Sequence, residues 1–364
     1  MKNTKYLFDE AKQTPEGMVS VSQLQTYLSC AKKWEYGYIE EITPRVERAY
    51  LTIGKLCHKG MQVAMQTLWE LGGFTEDRRA EDIMQILYNK SLLAINNEYH
   101  EYMEQVPHLD EEIPDLEQMK LDANAVFIQA LEEFNPLKYE VLTLYKNGKP
   151  IPALELHFVV PCPGSKGLHG YIDAILKDRE TGFIWCTDYK FRKSLSPDDE
   201  EAYNIQNTVY ARACGKMGIP ITGTMTWQHC NTPAADPLLL KNGKISRALI
   251  KTTWSKYRAF CLKNRQDPAE YEEEMVPKLA DIEWFRATYE YRNPQTIETI
   301  WKECVEPASR AIGKARNLKV KKYRSLYPWN CKMCQYQSLC QAELRDYDAN
   351  AIRLREYVQR LHTR

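Results

Sequence analysis

The chain has 364 residues, 44% of them hydrophobic, which suffices for one elaborated domain or two small ones with a sizeable core. Basic and acidic residues number 49 each, so the net charge is zero and does not indicate a nucleic-acid-binding protein; any nucleic acid must contact a local basic patch. No apolar run is long enough to span a membrane, and the first residues lack the apolar core of a signal peptide. We therefore expect a cytoplasmic protein that does not contact membranes.

The first third of the chain is predicted to be helical. Residues 1–18 are predicted to form a flexible arm, followed by a helix that Ser20 or Ser22 caps and that runs to about Tyr38. An acidic stretch that contains prolines, residues 106–114, is predicted to be a loop. The spacing of apolar residues predicts the other helices at 53–71, where Gly72 and Gly73 follow, at 79–105 and at 116–134.

The pattern then changes to the two-residue period of β-strands. Ser196, Pro197 and the acids after them favour the start of a helix that ends near Met217, and a strand follows at 222–229. The order of helices, strands, helix and strand indicates an α/β fold with a mostly helical N-terminal cover. The earlier strands, separated by Gly and Pro turns, are predicted at 139–146, 151–161, 167–177 and 182–190.

The last third of the chain is less regular. A strand at 245–251 and a helix at 254–263 are predicted in a segment without an assigned role. Pro294 begins a helix that continues to about Leu318, and a final helix is predicted at 341–361. We divide the chain into an arm (1–18), a helical N-terminal part (19–138), a strand-rich core (139–230), an insertion (231–292) and a C-terminal part (293–364).

Four cysteines at the two ends of the chain form a candidate metal site. Cys331, Cys334 and Cys340 follow a C-x2-C-x5-C spacing, and three thiolates need a fourth ligand to close a zinc or iron–sulfur site. Cys30 is the candidate fourth ligand, because basic and aromatic residues surround it. The other seven cysteines are scattered singly and are predicted to be buried thiols.

Acidic residues on two neighbouring predicted strands form a second candidate site. Asp188 and Lys190 are two apart, so their side chains project from the same face of a strand. If that strand pairs with the preceding one, Asp173 lies beside Asp188. Clustered carboxylates favour a divalent metal, which lowers the pKa of a bound water, while Lys190 orients that water or stabilises charge on a phosphate. The alternative is an Asp–Lys ion pair on a solvated strand face.

Four further residues are candidates for the same site. His58 lies on the second predicted helix, and a histidine at the core edge is the alternative. Gln206 and Tyr210 are four apart and share the face of the helix that follows Lys190; the alternative is a helix packed by Tyr210 alone. Glu155, one strand before Asp173, is a candidate for an additional acid near the metal, but we expect it to be a solvent-facing strand residue.

Together these motifs resemble the PD-(D/E)xK nuclease superfamily and, within it, the RecB-type exonucleases. The resemblance covers about residues 20–343 and rests on Gly54-x3-His58, Gly170-x2-Asp173, Asp188-x-Lys190 and Gln206-x3-Tyr210. With the four cysteines, the chain is similar to the iron–sulfur subgroup, which includes the AddB nuclease domain and the CRISPR-associated RecB-like exonucleases. The resemblance implies a restriction-endonuclease-like core, a mixed sheet flanked by helices.

The resemblance also implies roles for these residues. The cysteines would hold a structural 4Fe-4S cluster, although their spacing leaves zinc open. Lys190 would be the catalytic lysine, and Gln206 and Tyr210 would shape the site or contact DNA. The metal, Mg2+ or Mn2+, would be bound by His58, Asp173, Asp188 and the backbone carbonyl of Tyr189.

The expected activity is that of a DNA exonuclease that hydrolyses phosphodiester bonds from DNA ends and prefers single strands. The resemblance implies a recombination, repair or mobile-element pathway, with recombination or helicase proteins as partners. The alternatives are a structure-specific endonuclease on the same fold and a catalytically silent iron–sulfur DNA-binding module. The basic run at 314–324 is a candidate contact for DNA phosphates, and the alternative is a solvated helix end and linker.

Overall fold

The computed structural model describes residues 17–45, 49–74, 79–105, 116–316 and 320–359. The predicted loop at 106–114 lies outside these ranges, as does nearly all of the predicted arm at 1–18. The α-helices are α1 (Val21–Ser29), α2 (Ala31–Trp34), α3 (Ala49–Glu70), α4 (Ala80–Gln105), α5 (Leu116–Phe134), α6 (Asp198–Ala202), α7 (Ile205–Met217), α8 (Trp254–Lys263), α9 (Ala269–Ala280), α10 (Pro294–Ile300), α11 (Glu306–Ala315), α12 (Pro328–Lys332), α13 (Gln337–Leu344) and α14 (Ala349–Glu356). The strands are β1 (Val19–Ser20), β2 (Ile42–Pro44), β3 (Tyr139–Val141), β4 (Thr143–Lys146), β5 (Lys149–Pro152), β6 (Leu154–Val160), β7 (Leu168–Asp178), β8 (Ile184–Arg192), β9 (Gly223–Cys230), β10 (Phe285–Glu290) and β11 (Tyr357–Gln359).

A mixed sheet of seven strands, counted over the described residues, forms the centre of the protein. Strand β7 pairs with β1, β3 and β6 along its length and is antiparallel to β8. Strand β9 is parallel to β8 and antiparallel to β10. The β8–β9 register places Asp188 opposite Thr226 and Lys190 opposite Gln228.

Helices cover both faces of this sheet. One face packs against α3 and α5 through a core that includes Leu56, Phe127 and Trp227. The other face packs against α1, α7 and α11 through a core that includes Tyr210 and Ile312. A mixed sheet flanked by helices confirms the predicted fold class. No helix in the described ranges is long and apolar enough to cross a membrane.

The N-terminal helices follow the prediction closely, with one break. Ser20 caps α1 as predicted, since its hydroxyl oxygen accepts a hydrogen bond from the Gln23 amide at 3.1 Å. The predicted single helix to Tyr38 is wrong, because Cys30 is extended (φ −166°, ψ 114°) and separates α1 from α2. Gly72 and Gly73 have positive φ angles after the last turn of α3, which confirms the predicted helix end.

The predicted serine cap before α6 is wrong. Helix α6 begins at Asp198, and no side chain caps it. The Ser196 amide instead donates to Gln228 Oε1 at 2.9 Å, and its hydroxyl accepts a hydrogen bond from Arg192. These two partners, Arg192 on β8 and the buried Gln228 on β9, hold Ser196 against the sheet. The predicted single helix to about Met217 is also wrong, because α6 ends at Ala202 and Asn204 caps a second helix, α7. Helix α7 ends at Met217 before Gly218, as predicted.

The segment 231–292 contains a small core of its own and one strand of the main sheet. The predicted helix 254–263 is confirmed as α8, whereas the predicted strand 245–251 reduces to a single bridge between Leu239 and Ile245. Helix α9, which the sequence did not predict, packs Tyr271 and Met275 into this small core. Strand β10 pairs with β9 at the sheet edge. The division of the chain into five parts stays a prediction.

The C-terminal part of the chain contacts the N-terminal part. The helix predicted from Pro294 is observed as α10, a π-helical turn and α11, and its predicted end near Leu318 lies outside the described residues. The predicted final helix 341–361 is wrong, because α13, α14 and strand β11 occupy its described part. Strand β11 pairs with β2, so Tyr357 lies opposite Pro44 and the two ends of the chain are joined.

Candidate active site

The predicted hairpin of β7 and β8 is observed, and it brings the two aspartates together. The β7–β8 register places Ala174 opposite Thr187, so Asp173 and Asp188 are the next opposed pair. At this point the ladder ends, and Asp173 Oδ2 accepts a hydrogen bond from the Tyr189 amide at 2.8 Å. A side-chain oxygen therefore replaces a backbone acceptor, and a carboxylate lies in the cleft between the two strands.

His58 and Glu155 complete a group of metal-ligand type around Asp173. His58 Nε2 lies 2.9 Å from Asp173 Oδ2, and His58 Nδ1 lies 3.8 Å from Glu155 Oε1. One ligand atom from each of the three residues lies within 4.8 Å of the others. Imidazole and carboxylate groups at this separation suit a divalent cation such as Mn2+ or Mg2+.

Glu155 is the site residue that the sequence did not assign. The β6–β7 register places Leu154 opposite Ala174 and Leu156 opposite Ile172, so Glu155 faces Asp173 across the strands. Its φ of 45° marks a local distortion of β6. The expectation of a solvent-facing strand residue is wrong. The signal that could have identified Glu155 is its position relative to Asp173, which depends on the strand register.

One of the two motif glycines permits close packing beside the site. A Cβ atom on Gly170 would lie 2.9 Å from the Phe158 ring, closer than packing allows, so Gly170 lets this ring pack against β7. A Cβ atom on Gly54 would lie 3.4 Å from the Phe191 carbonyl oxygen, which is an ordinary contact, so the space around Gly54 does not by itself require glycine.

Asp188, which is buried, pairs with the partly exposed Lys190 beside this group. Lys190 Nζ lies 2.7 Å from Asp188 Oδ2 and 2.9 Å from Oδ1, and Asp188 is only 2% exposed. The alternative of an ion pair on a solvated strand face is therefore wrong. Asp188 is not among the three residues whose ligand atoms lie within 4.8 Å of one another in the described part of the chain. Its role as a metal ligand stays a prediction.

Helix α7 borders the site through Gln206 and Tyr210, the two residues that were predicted to share a helix face. Gln206 Nε2 donates to Asp188 Oδ1 at 2.9 Å and lies 2.7 Å from the Tyr210 hydroxyl oxygen. The Tyr210 hydroxyl in turn donates to the Tyr171 carbonyl at 2.6 Å. The predicted pair on one helix face is confirmed as geometry, and it fixes the orientation of the Asp188 carboxylate. Whether either residue contacts DNA stays a prediction.

Tyr189 separates the two faces of β8. Its side chain is buried in the core on the α3 side, where its ring lies edge-on to Phe134. Its backbone amide donates to Asp173, as described above. The alternation along β8 thus sends Tyr189 to one face and Asp188 and Lys190 to the other. The predicted role of the Tyr189 carbonyl as a metal ligand stays a prediction.

The pKa values of these groups reflect concentrated charge in a buried cleft. Burial raises the pKa of Asp188 to about 6; the neighbouring Asp173 carboxylate adds to this rise and Lys190 opposes it. Burial also favours neutral Asp173, but the charges of His58 and Lys190 outweigh it and lower the pKa of Asp173. Burial lowers the pKa of His58, but Asp173 and Glu155 outweigh it and raise that pKa to about 9. The cleft thus attracts positive charge, as a cation site requires.

The four predicted cysteines line one cavity of about 520 Å³. Cys30 lies between α1 and α2, and the other three come from the segment of α12 and α13. Arg324 Nε donates to Cys340 Sγ at 3.3 Å, which places a positive charge beside the thiols. The structure therefore places Cys30 beside the C-terminal cysteines, as predicted. Of the seven other cysteines, six are buried as predicted, but the prediction is wrong for Cys304, which is exposed.

Two cations of the basic run at 314–324, Lys322 and Arg324, differ from the prediction of an exposed contact for DNA, whereas for the exposed Lys314 and Lys321 that contact stays a prediction. The Lys322 side chain is only 2% exposed and lies 3.3 Å from Glu35. Arg324 binds Glu343 in addition to Cys340. These cations compensate acids and thiols around the cysteine cavity, so they are not free for phosphate groups. Lys319 lies outside the described residues.

One comparison with known proteins, that with family models, agrees with this geometry. A comparison with curated proteins gives no match. The family model of the PD-(D/E)XK nuclease superfamily matches residues 18–341, which include the cleft and the cysteine segment. Nucleases of this superfamily use divalent metals, as the group of His58, Glu155 and Asp173 would require. The chain therefore belongs to the PD-(D/E)XK nuclease superfamily.

Proposed function

We propose that this nuclease is a DNA exonuclease that hydrolyses phosphodiester bonds from DNA ends and prefers single strands. The observation that carries the proposal is the cleft between β7 and β8, where the group around Asp173 meets the buried Asp188 carboxylate and its partner Lys190. We place the enzyme in DNA recombination, repair or a mobile-element pathway, where recombination or helicase proteins would be its partners. A catalytically silent module would have no need of a buried carboxylate and an ammonium group beside a group of metal-ligand type.

Each residue of the cleft would have a separate role in the hydrolysis. His58, Glu155 and Asp173 would hold the cation, with Asp188 and the Tyr189 carbonyl as further ligands. Bound Mg2+ or Mn2+ would supply a Lewis acid and lower the pKa of a water molecule. Lys190 would donate hydrogen bonds to that water or to a phosphate oxygen. Gln206 and Tyr210 would keep the Asp188 carboxylate oriented through the hydrogen bonds described above.

We further propose that the cysteine cavity holds a 4Fe-4S cluster. All four cysteines line this cavity of about 520 Å³, and the adjacent Arg324 would balance part of the negative charge of the cluster. A single zinc ion is the alternative that four thiolates leave open.

The preference for ends and single strands rests on the elements around the cleft. Helix α3 covers the sheet on one side, and α1 and α7 cover it on the other. The pairing of β2 with β11 and the shared cysteine cavity join the N- and C-terminal parts of this cover. A flexible single strand enters such an enclosure more easily than a duplex does.

A closed circle tests the requirement for an end. With Mn2+ present, we expect the enzyme to degrade a linear single strand and to leave the same molecule intact as a closed circle. The gel assay uses end-labelled and circular DNA of one sequence, with EDTA as the metal-free control. Equal rates on both forms would contradict the exonuclease and would favour a structure-specific endonuclease on this fold.

His58 tests the composition of the metal site. Mg2+ prefers oxygen ligands, whereas Mn2+ tolerates nitrogen better, so we expect Mn2+ to support cleavage at least as well as Mg2+. His58→Ala should then lower cleavage sharply in both metals. The matched control is His100→Ala, because His100 is an exposed histidine on α4. Unchanged cleavage by His58→Ala would show that His58 is not a ligand.

A further inference from the structure

Glu201 is a buried acid that the proposed chemistry does not use. It is the last glutamate of α6, lies 13 positions after Asp188 and is only 2% exposed. A carboxylate that is removed from water needs hydrogen-bond donors around it, because burial disfavours the charged form. The identity of these donors indicates what Glu201 does.

The donors come from three elements around the cleft. Glu201 Oε2 accepts hydrogen bonds from Asn204 Nδ2 at 2.8 Å and from Thr226 Oγ1 at 3.1 Å. Glu201 Oε1 accepts a longer one from Arg192 at 3.5 Å. Thr226 is the β9 residue opposite Asp188 in the sheet register. Glu201 therefore connects the strand next to Asp188 with the start of α7.

Asn204 links Glu201 to Gln206, the residue that contacts Asp188 in the cleft. A carboxylate oxygen accepts hydrogen bonds, so Glu201 binds the Nδ2 group of Asn204. The Oδ1 atom of Asn204 therefore lies on the opposite side of the amide group. That oxygen accepts from the Gln206 backbone amide at 3.0 Å, which caps α7, and from Gln25 of α1 at 3.3 Å. The capped residue, Gln206, is also the one whose side chain holds Asp188.

We propose that Glu201 and Asn204 are a positioning pair that fixes the first turn of α7 and so holds the Gln206 amide on Asp188. The proposal rests on the proposed function of the cleft. Neither residue touches the reacting atoms; both act through Gln206. Partners that orient a metal-binding carboxylate typically change metal affinity or activity by about 10–100-fold when they are removed.

The test compares variants of Asn204 with a matched control. Asn204→Ala removes the cap, whereas Asn204→Ser restores an acceptor of similar capping strength. Asn293→Ala is the control, because Asn293 caps a different helix, α10, by accepting a hydrogen bond from the Thr296 amide at 2.8 Å. Glu201→Gln keeps the size of Glu201 but replaces an acceptor with a donor.

Two readouts separate positioning from stability. Mn2+ binding is measured by calorimetry without DNA, and cleavage is measured as a function of Mn2+ concentration. We expect Asn204→Ala and Glu201→Gln to weaken Mn2+ binding and raise the half-maximal Mn2+ concentration for cleavage by about 10-fold or more. Saturating Mn2+ should restore most of the rate, Asn204→Ser should stay close to wild type, and Asn293→Ala should change neither readout.

Unchanged Mn2+ binding in Asn204→Ala and Glu201→Gln would overturn the proposal, as would an equal effect of Asn293→Ala. Both variants are checked for folding by circular dichroism. If Glu201→Gln is unfolded, the comparison of Asn204→Ala with Asn204→Ser decides the question. Failure of the wild type to degrade DNA would instead overturn the proposed exonuclease, and the calorimetric comparison would still test the positioning pair.

Discussion

Replacing Asp188 or Lys190 should lower the rate of DNA cleavage by about 10²–10³-fold, which is the typical cost of losing one electrostatic stabiliser of a transition state. Asp188→Asn removes a charge from the cleft but keeps an oxygen that accepts from Gln206. Lys190→Met removes the ammonium group, which lies 2.7 Å from Asp188, and keeps the length of the side chain. The expected loss in both variants is in the rate of the chemical step and not in the amount of folded protein.

The measurement is single-turnover cleavage of an end-labelled single strand in saturating Mn2+. Lys193→Ala is the matched control, because Lys193 is an exposed lysine just beyond β8. Each variant removes one partner of an ion pair whose carboxylate is buried, so thermal unfolding must be measured in parallel. Cleavage near the wild-type rate by folded Asp188→Asn would contradict the assignment of the cleft as the active site.

Replacing Cys30 should cause the largest loss of stability of any single substitution considered for this protein. Cys30 and Cys331 are 301 positions apart in the sequence and line one cavity, so a cluster held by both closes a very long loop. In the chain-entropy model, a cross-link of this length stabilises the folded state by about 6 kcal/mol. A typical domain has a total of about 5–15 kcal/mol, so Cys30→Ala should cost solubility and thermal stability before it affects the chemistry.

The measurements are iron content, visible absorbance and the unfolding midpoint of anaerobically purified protein. We expect about four irons per wild-type chain, as a 4Fe-4S cluster requires. Cys304→Ala is the matched control, because Cys304 is exposed and does not line the cavity. Stoichiometric zinc without iron would contradict the cluster type, and an unfolding midpoint of Cys30→Ala equal to that of Cys304→Ala would contradict the cross-link.

The local part of this structure could be read from the sequence. The apolar spacing located α5 and α8 at their observed bounds, because their helical periods are regular. The two-residue period of a strand put Asp188 and Lys190 on one face, and the four-residue spacing put Gln206 and Tyr210 on one face. Each of these relations joins residues that are close in sequence, so their geometry follows from the secondary structure alone.

Other features were decided only by the tertiary structure. Glu155 joins the cleft through the register of β6 on β7, and register depends on the packing of the whole sheet. Lys322 and Arg324 look like a DNA contact in the sequence, but long-range contacts pair them with Glu35 and Glu343. The charge of a residue follows from its type, whereas the partner that neutralises it depends on the tertiary structure. Hence the sequence determined which residue types the chemistry has available, and packing determined which of them meet.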